Sequence, residues 1–189
     1  MAQKRKDWNG LISGFKASDL VFLDESGCNT DMTRRYAYSL GGSNAVDSAP
    51  LSKPKNTTIL SSIQLDGTLR YTTFSGGTTV ERFKRYLETD LLPHLNGNSV
   101  LIMDHMKSHH AKAVRNLLDS SGVRYIYLPP YSPDLNPIEK LWSKVKSFLR
   151  KFKARTLDAL PNAIQNAFHA VTVSDCSGWF RFCGYALLF

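Results

Sequence analysis

The sequence predicts a mixed α/β domain in which helices flank a largely central β-sheet. Three observations favour this fold class: apolar runs that end in aspartate, a hairpin signal between strand-like segments, and helical periodicities that alternate with the later strands. At 189 residues the chain suits one domain with a sizeable core. We divide it into a lead (1–18), the α/β domain (19–173) and an aromatic tail (174–189).

The first predicted strand follows the polar lead. Asp19 to Leu23 is mostly apolar and runs directly into Asp24, which is typical of a buried strand that ends in a carboxylate. Arg34 to Leu40 alternates weakly between polar and apolar residues and predicts a short second strand. Residues 41–55 contain Gly, Ser, Pro and Lys, and this composition favours an exposed loop.

A hairpin and a helix are predicted next. Thr57 to Leu65 and Leu69 to Phe74 flank Asp66-Gly67, the strongest short signal for a hairpin turn. Gly76-Gly77 breaks the second strand, and Thr78 or Thr79 can then cap a helix. The apolar residues of that helix fall at helical spacing: Val80, Phe83, Leu87 and Leu91.

The second half of the chain alternates strands and helices. Its predicted elements are a strand from Ser99 to Met103 that ends at Asp104, a helix from about His110 to Ser120, a strand from Val123 to Leu128, a rigid proline loop from Pro129 to Pro133, a long helix opened by Asn136-Pro137, and a weaker helix from about Leu157 to Val171. These elements complete the mixed sheet and its helical layers.

The charge of the chain favours a polyanionic partner. Lys and Arg number 24 against 16 Asp and Glu, which gives a net charge of +8 and a pI of about 9.5. Nucleic acid comes first and an anionic membrane surface second, although a basic soluble protein without such a partner fits equally well. The three cysteines lack zinc-ligand spacing and are expected to be reduced thiols. No signal peptide or membrane-spanning run is evident, so we expect a cytoplasmic protein without a membrane partner.

Two strand-ending aspartates are the first candidate site residues. Ligands of open α/β sheets bind beyond the strand ends, so Asp24 and Asp104 can converge there. Carboxylates gathered in one place repel one another unless a cation neutralises them, and their hard oxygen atoms suit Mg²⁺ or Mn²⁺. Taken singly, each aspartate is better explained as an ordinary strand-end or turn residue.

Glu139 has two explanations. Asn136 as N-cap, Pro137 at the first helical position and Glu139 three residues after the cap match a capping box. A glutamate in the first turn of a fixed helix can also project into a site. The residues alone leave both roles open.

The helix that follows Glu139 is strongly basic. From Lys140 to Arg155 there are seven basic residues and no acidic one. We predict that this segment contacts DNA phosphates, through a set of candidates that begins one residue after Glu139: Lys140, Lys144, Lys146, Arg150 and Lys151. The alternative is a solvated helix face without a ligand.

Three sequence blocks carry a resemblance to a known family. They are VFLDESG at Val21 to Gly27, LIMDHMKSHH at Leu101 to His110, and YLPPYSPDLNPIEKLWSKVK at Tyr127 to Lys146. With thirty-four residues between Asp104 and Glu139, the chain resembles the mariner-type superfamily of DDE transposases, in particular its bacterial insertion-sequence branch. The resemblance extends from about Asp19 to Tyr185.

The resemblance implies a fold, an activity and partners. It implies a ribonuclease H-like fold in which Asp24, Asp104 and Glu139 are catalytic and bind two Mg²⁺ or Mn²⁺ ions. The implied reactions are DNA cleavage at transposon ends and strand transfer into target DNA, in the bacterial cytoplasm at the nucleoid. Because two ends must be synapsed, a homodimer is expected.

The chain also departs from the family pattern. His105-Met106 stand where the family commonly has Asn-Ala, and we treat His105, His109 and Asn136 as candidates for ordering the site. Only about eighteen residues precede the first strand, so a helix-turn-helix part is expected from a separate or frameshift-joined reading frame, or the copy is truncated. Two other functions are compatible with these residues: an inactive DNA-binding fragment that competes with a full-length enzyme, and a different ribonuclease H-like nuclease.

Overall fold

The computed structural model describes residues 2–34, 36–48 and 54–185. Five strands form one sheet of order β3-β2-β1-β4-β5. They are β1 (Leu20–Cys28), β2 (Thr57–Ile63), β3 (Leu69–Ser75), β4 (Val100–Met103) and β5 (Arg124–Tyr127). The strands β1, β2 and β3 are antiparallel neighbours, whereas β4 runs parallel to both β1 and β5. The predicted mixed sheet is confirmed.

Six helices cover the sheet. They are α1 (Ala2–Ile12), α2 (Val80–Tyr86), α3 (Lys112–Ser121), α4 (Ile138–Phe152), α5 (Ala159–His169) and α6 (Val173–Phe182). A π-helical turn, Leu87–Leu91, continues α2. Thr79 caps α2 as predicted, since its side chain accepts a hydrogen bond from the backbone N–H of Arg82. No helix in the described ranges is both long and apolar enough to cross a membrane.

The parallel pairing of β1 with β4 brings the two aspartates to one edge of the sheet. In the register of this pair Leu23 lies opposite Met103. Asp24 and Asp104 each follow one of these paired residues, so they lie at equivalent positions where this pairing ends. The strand predicted to end at Asp24 instead continues to Cys28, because its second half still pairs with β2. Parallel strands present their carboxyl ends on the same side, which is where α/β sheets bind ligands.

Alternate side chains of the central strands pack into two separate hydrophobic cores, one on each face of the sheet. Leu20 and Phe22 of β1 point to a core shared with α1, α4, α5 and α6. Val21 and Leu23 point to the opposite core, which contains Phe83 of α2 among its members. Burial on both faces explains why β1 and β4 are continuous apolar runs rather than alternating ones.

Helix α1 was not predicted from the sequence. The segment that we interpreted as a polar lead contains this helix, and Trp8 and Ile12 are only 3% and 5% exposed. These two residues are four apart, so they share one helical face and anchor the helix on the core. Their signal was weak because the rest of the segment is polar.

The short strand predicted between Arg34 and Leu40 is wrong. The described residues of this stretch form no strand. Tyr36, Tyr38 and Leu40 are the apolar half of its alternation, yet each is at least 87% exposed. Alternation predicts a strand only where one face is buried, and here β1 already has a strand on each side. Residues 41–48 are exposed, as predicted for the loop.

The aromatic tail begins with an unpredicted helix. Thr172 and Asp175 form a capping box at the start of α6, and the Phe180 ring packs edge-on against Phe22 at 5.4 Å between centroids. Tyr185 is also buried. Residues 186–189, including the last aromatic residue of the tail, lie outside the described residues.

Candidate active site

A cavity of about 530 Å³ opens where the pairing of β1 with β4 ends, beyond the carboxyl end of β4. Asp24, Asp104 and Glu139 all line it, together with residues of the proline loop that precedes α4. The structure thus brings the three predicted carboxylates to one cavity from three separate elements. Spacing along the sequence alone could not show that Glu139 lies near the two aspartates.

Asp24 is the most buried of the three carboxylates. It is 8% exposed, and its oxygens accept hydrogen bonds from the backbone N–H of Glu25 at 2.7 Å and from Nε1 of Trp142 at 3.1 Å. Burial raises the pKa of Asp24 to about 7. The two hydrogen bonds oppose this shift, and the negative charges of Asp104 and Glu139 add to it. The three carboxylates therefore interact electrostatically, and a cation would favour their ionised forms.

Asp104 is held by His109. The Nδ1 atom of His109 lies 2.8 Å from Oδ1 of Asp104, and the imidazole is fully buried with its ring stacked on Phe83 at 4.3 Å. Burial raises the pKa of Asp104, but the hydrogen bonds from His109 and the Met106 N–H, with the nearby positive charge, outweigh it and lower that pKa overall. The predicted candidate His109 thus contacts Asp104 directly.

The capping box predicted for Glu139 is absent. Pro137, rather than Asn136, occupies the N-cap position of α4, and no side chain caps the helix there. The buried Oδ1 of Asn136 has no hydrogen-bond partner and the residue lines the cavity. A proline with helical φ begins the helix without a side-chain cap. Glu139 is exposed in the first turn, so no capping bond accounts for it.

Trp142 is a site residue that the sequence analysis missed. It lies three residues after Glu139, so both project from the same face of α4. Its indole donates to Asp24 while its ring is buried in the core. This side chain links α4 to β1, next to the core that the two elements share. Its spacing from Glu139 was the available signal.

The three carboxylates are not arranged around one point as metal ligands would be. Within the described part of the chain, no group of three His, Cys, Asp or Glu side chains is arranged to hold a metal ion. The carboxylates instead surround a shared cavity. The orphaned amide oxygen of Asn136 adds a further oxygen donor to the same walls.

The predicted DNA-contacting residues differ in their surroundings. Lys144 forms an ion pair with Asp175 of α6, and the Lys140 ammonium lies 3.9 Å from the centroid of the Phe182 ring. Lys151 is exposed, whereas Lys146 and Arg150 are half-buried. The sequence has no acidic residue from Lys140 to Arg155, but α6 supplies Asp175 as a partner for Lys144. Contact of these residues with DNA stays a prediction.

The order of the sheet and the acids at its edge define a ribonuclease H-like domain. A sequence profile for the DDE superfamily endonucleases matches residues 19–161, most of the chain. The chain belongs to the DDE superfamily endonuclease family.

Similar proteins include the Tc1 transposable element transposase of Caenorhabditis elegans, which is 30% identical over 97 residues. This match covers 49% of the chain and 36% of that transposase. The pre-cleavage Mos1 transpososome gives a TM-score of 0.82 at 19% identity, over 97% of this chain and 59% of that one. The catalytic domain of Mos1 mariner transposase gives 0.72 at 17% identity, over 96% and 86%. The chain therefore shares this fold and spans less than two thirds of the first two relatives.

Proposed function

We propose that the chain is the catalytic domain of a Tc1/mariner-type transposase of the bacterial insertion-sequence branch. It would cut DNA at transposon ends and join those ends to target DNA. The observation that carries the proposal is the convergence of Asp24, Asp104 and Glu139 on one cavity of a DDE superfamily domain. The similarity to Tc1 and Mos1 proteins supports the same assignment.

Asp24, Asp104 and Glu139 are the residues that would hold divalent cations. Their hard oxygen atoms suit Mg²⁺ or Mn²⁺, and Mos1 paired-end complexes are known with each of these metals. The raised pKa of Asp24 and the orphaned oxygen of Asn136 fit a site that gains from a cation. When bound, two such ions would activate the attacking hydroxyl and stabilise the leaving oxygen.

The residues of this chain would orient the reacting groups. Trp142 and the Glu25 N–H hold the carboxylate of Asp24, and His109 holds that of Asp104. Both aspartates are thereby fixed before substrate arrives, which lowers the cost of ordering them during the reaction. Glu139 enters from α4 and remains the most accessible of the three.

The partners in this proposal are double-stranded DNA, a recognition part and a second copy. Structures of Mos1 contain paired transposon ends, which supports DNA ends and target DNA as substrates. We propose that a helix-turn-helix part, separate or joined by frameshifting, recognises the ends. Synapsis of two ends favours a homodimer, and the site of action would be the bacterial cytoplasm at the nucleoid.

A cleavage and joining assay tests the proposal. The substrate is duplex DNA with the cognate inverted repeats, and the recognition part is added together with Mg²⁺ or Mn²⁺. We expect nicked and joined products that disappear in Asp104→Asn but persist in Glu25→Gln, a matched change of another cavity-lining acid. Activity that survives Asp104→Asn would overturn the assignment.

Two other results would replace the proposal with the alternatives. Salt-sensitive DNA binding without turnover under either metal identifies an inactive competitor. Hydrolysis that never yields joined strands identifies a different ribonuclease H-like nuclease. Strand joining by the wild-type chain excludes both.

A further inference from the structure

His105 lies at the wall of the cavity in a defined orientation. It follows Asp104 directly, its ring is exposed, and it lines the cavity with the three carboxylates. The ring stacks near Tyr127 at 5.5 Å between centroids, and Tyr127 is held by a hydrogen bond from its hydroxyl to the His109 carbonyl at 3.0 Å. The imidazole is therefore supported although it faces solvent.

One nitrogen of His105 is engaged by a second histidine. Its Nδ1 lies 3.1 Å from Nε2 of His110, whose ring stacks on Tyr127 at 4.2 Å. A contact of this length requires one hydrogen between the two nitrogens, so one ring donates and the other accepts. Burial, followed by the charges of His105 and His109, lowers the pKa of His110, which favours a neutral ring there.

The chemistry of imidazole decides between the two arrangements. If His110 donates from Nε2, then His105 accepts at Nδ1 and carries its own hydrogen on Nε2. Both rings are then in the Nε2–H tautomer, which neutral histidine intrinsically prefers. The reverse arrangement forces both rings into the less favoured Nδ1–H form. The hydrogen bond at Nδ1 of His105 thus decides whether Nε2 of the same ring carries a hydrogen.

The remaining Nε2–H of His105 has no hydrogen-bond partner among residues 2–34, 36–48 and 54–185. The cavity is walled by carboxylates, which repel a phosphate, so a fixed N–H donor is valuable at this position. We propose that His105 binds a non-bridging phosphate oxygen of DNA through Nε2–H, and that His110 is a positioning residue that fixes its tautomer. This inference rests on the proposed function, because it takes DNA as the substrate.

Tautomers measured by NMR test the first half of the inference. In the full chain labelled with ¹⁵N-histidine, long-range ¹H–¹⁵N spectra without metal should show His105 protonated on Nε2. His110→Phe should broaden or change the His105 nitrogen pattern while leaving the other ring signals unchanged. His94→Gln and His169→Gln, two exposed histidines on other elements, serve for assignment and as controls. A His105 ring protonated on Nδ1 in the wild-type chain would overturn the inference.

DNA affinity tests the second half. His105→Phe keeps a ring for stacking on Tyr127 but has no donor, whereas His105→Asn keeps an amide donor. By fluorescence anisotropy with a short duplex in metal-free buffer, we expect His105→Phe to weaken binding by about tenfold or more, the effect of losing a hydrogen bond to a charged group. Asn should restore most of it, and thermal melts check that both variants are folded.

The two failures can be told apart. If the wild-type chain binds duplex DNA and His105→Phe binds equally well, the inference is wrong while the proposed function stands. If the wild-type chain neither binds nor cleaves DNA, the proposed function fails and takes the inference with it.

Discussion

The surroundings of the two cavity aspartates shift their pKa values in opposite directions. Asp24 is buried and lies near the negative charges of Asp104 and Glu139, and its pKa is raised to about 7. Asp104 sits beside a buried histidine, and its pKa is lowered. In neutral solution without a cation, Asp104 is ionised and Asp24 is near the middle of its titration. The two residues should therefore respond differently to pH and to mutation.

We predict that the metal-free protein loses stability as the pH rises from about 5 to 8. The folded state keeps a proton on Asp24 up to its pKa of about 7, whereas the unfolded chain releases it near 3.8, the ordinary pKa of an aspartate. The folded state therefore binds more protons between these values, and the free energy of unfolding falls as pH rises. The loss between pH 5 and 8 is on the order of 3 kcal/mol, because part of the effect of a shift of this size falls below pH 5. Urea unfolding in EDTA at several pH values measures it.

Asp24→Asn isolates the contribution of this carboxyl. The amide cannot ionise, so the variant should show a flatter dependence on pH over the same window. Asp104 has a lowered pKa, so it is already ionised throughout this pH range and adds no change in stability there. An Asp24→Asn profile as steep as that of the wild-type chain would assign the titration to another group.

We predict that His109→Ala lowers metal-dependent DNA cleavage by roughly 10- to 100-fold, as expected when a partner that orients a metal-binding carboxylate is lost. The substitution removes the 2.8 Å contact to Asp104 and leaves a cavity beside Phe83. His109→Asn, whose amide nitrogen can replace Nδ1, should recover part of the rate. A His109→Ala variant that is folded by thermal melts and cleaves at the wild-type rate would show that the contact does not matter.

Among the helices and strands, sequence patterns predicted the elements that are buried on both faces or along one whole face. β1 and β4 are buried on both faces and were evident as apolar runs, and the turn at Asp66-Gly67 fixed the hairpin. Helix α1 was not predicted because, among its side chains that the structure describes, only Trp8 and Ile12 reach the core. The cap at Asn136 was wrong because local spacing cannot show that Pro137 alone begins the helix. Elements held by few tertiary contacts leave a correspondingly weak pattern.

The basic helix α4 should divide its lysines between DNA binding and folding. We predict that Lys151→Met reduces the slope of log affinity for DNA against log salt by about 0.9, the loss of one phosphate contact. Lys144→Met should mainly cost stability, up to about 1 kcal/mol, because Lys144 is paired with Asp175 of α6. Salt titrations of duplex binding and urea unfolding measure these two effects. A larger loss of salt dependence in Lys144→Met than in Lys151→Met would reverse the assignment.

At the scale of the whole molecule, the cavity exists because three separate parts of the chain meet at one sheet edge. The two aspartates could be expected to meet, since ligands of open α/β sheets bind beyond the strand ends. Glu139 was joined to them only through its surrounding sequence block. The packing of α4 and β1 in a shared core brings Glu139 to the cavity, and Trp142 donates to Asp24 across the same interface. Local patterns cannot show such packing, because the spacing of Trp142 from Glu139 indicates only a shared helix face.

Because three separate elements line the cavity, a cation bound there should stabilise the whole fold against unfolding. We predict that Mn²⁺ at about 100 times its dissociation constant stabilises the wild-type protein by roughly 2.7 kcal/mol at pH 7.5. Glu139→Gln and Asp24→Asn should lose most of this gain, whereas Glu25→Gln, a change of a different acid in the same cavity, should keep it. Urea unfolding with and without Mn²⁺ gives the stabilisation, and Mn²⁺ electron paramagnetic resonance gives the affinity. If Glu25→Gln lost as much as Glu139→Gln, the cavity would attract cations through its overall charge, and Glu139 would have no specific part in holding them.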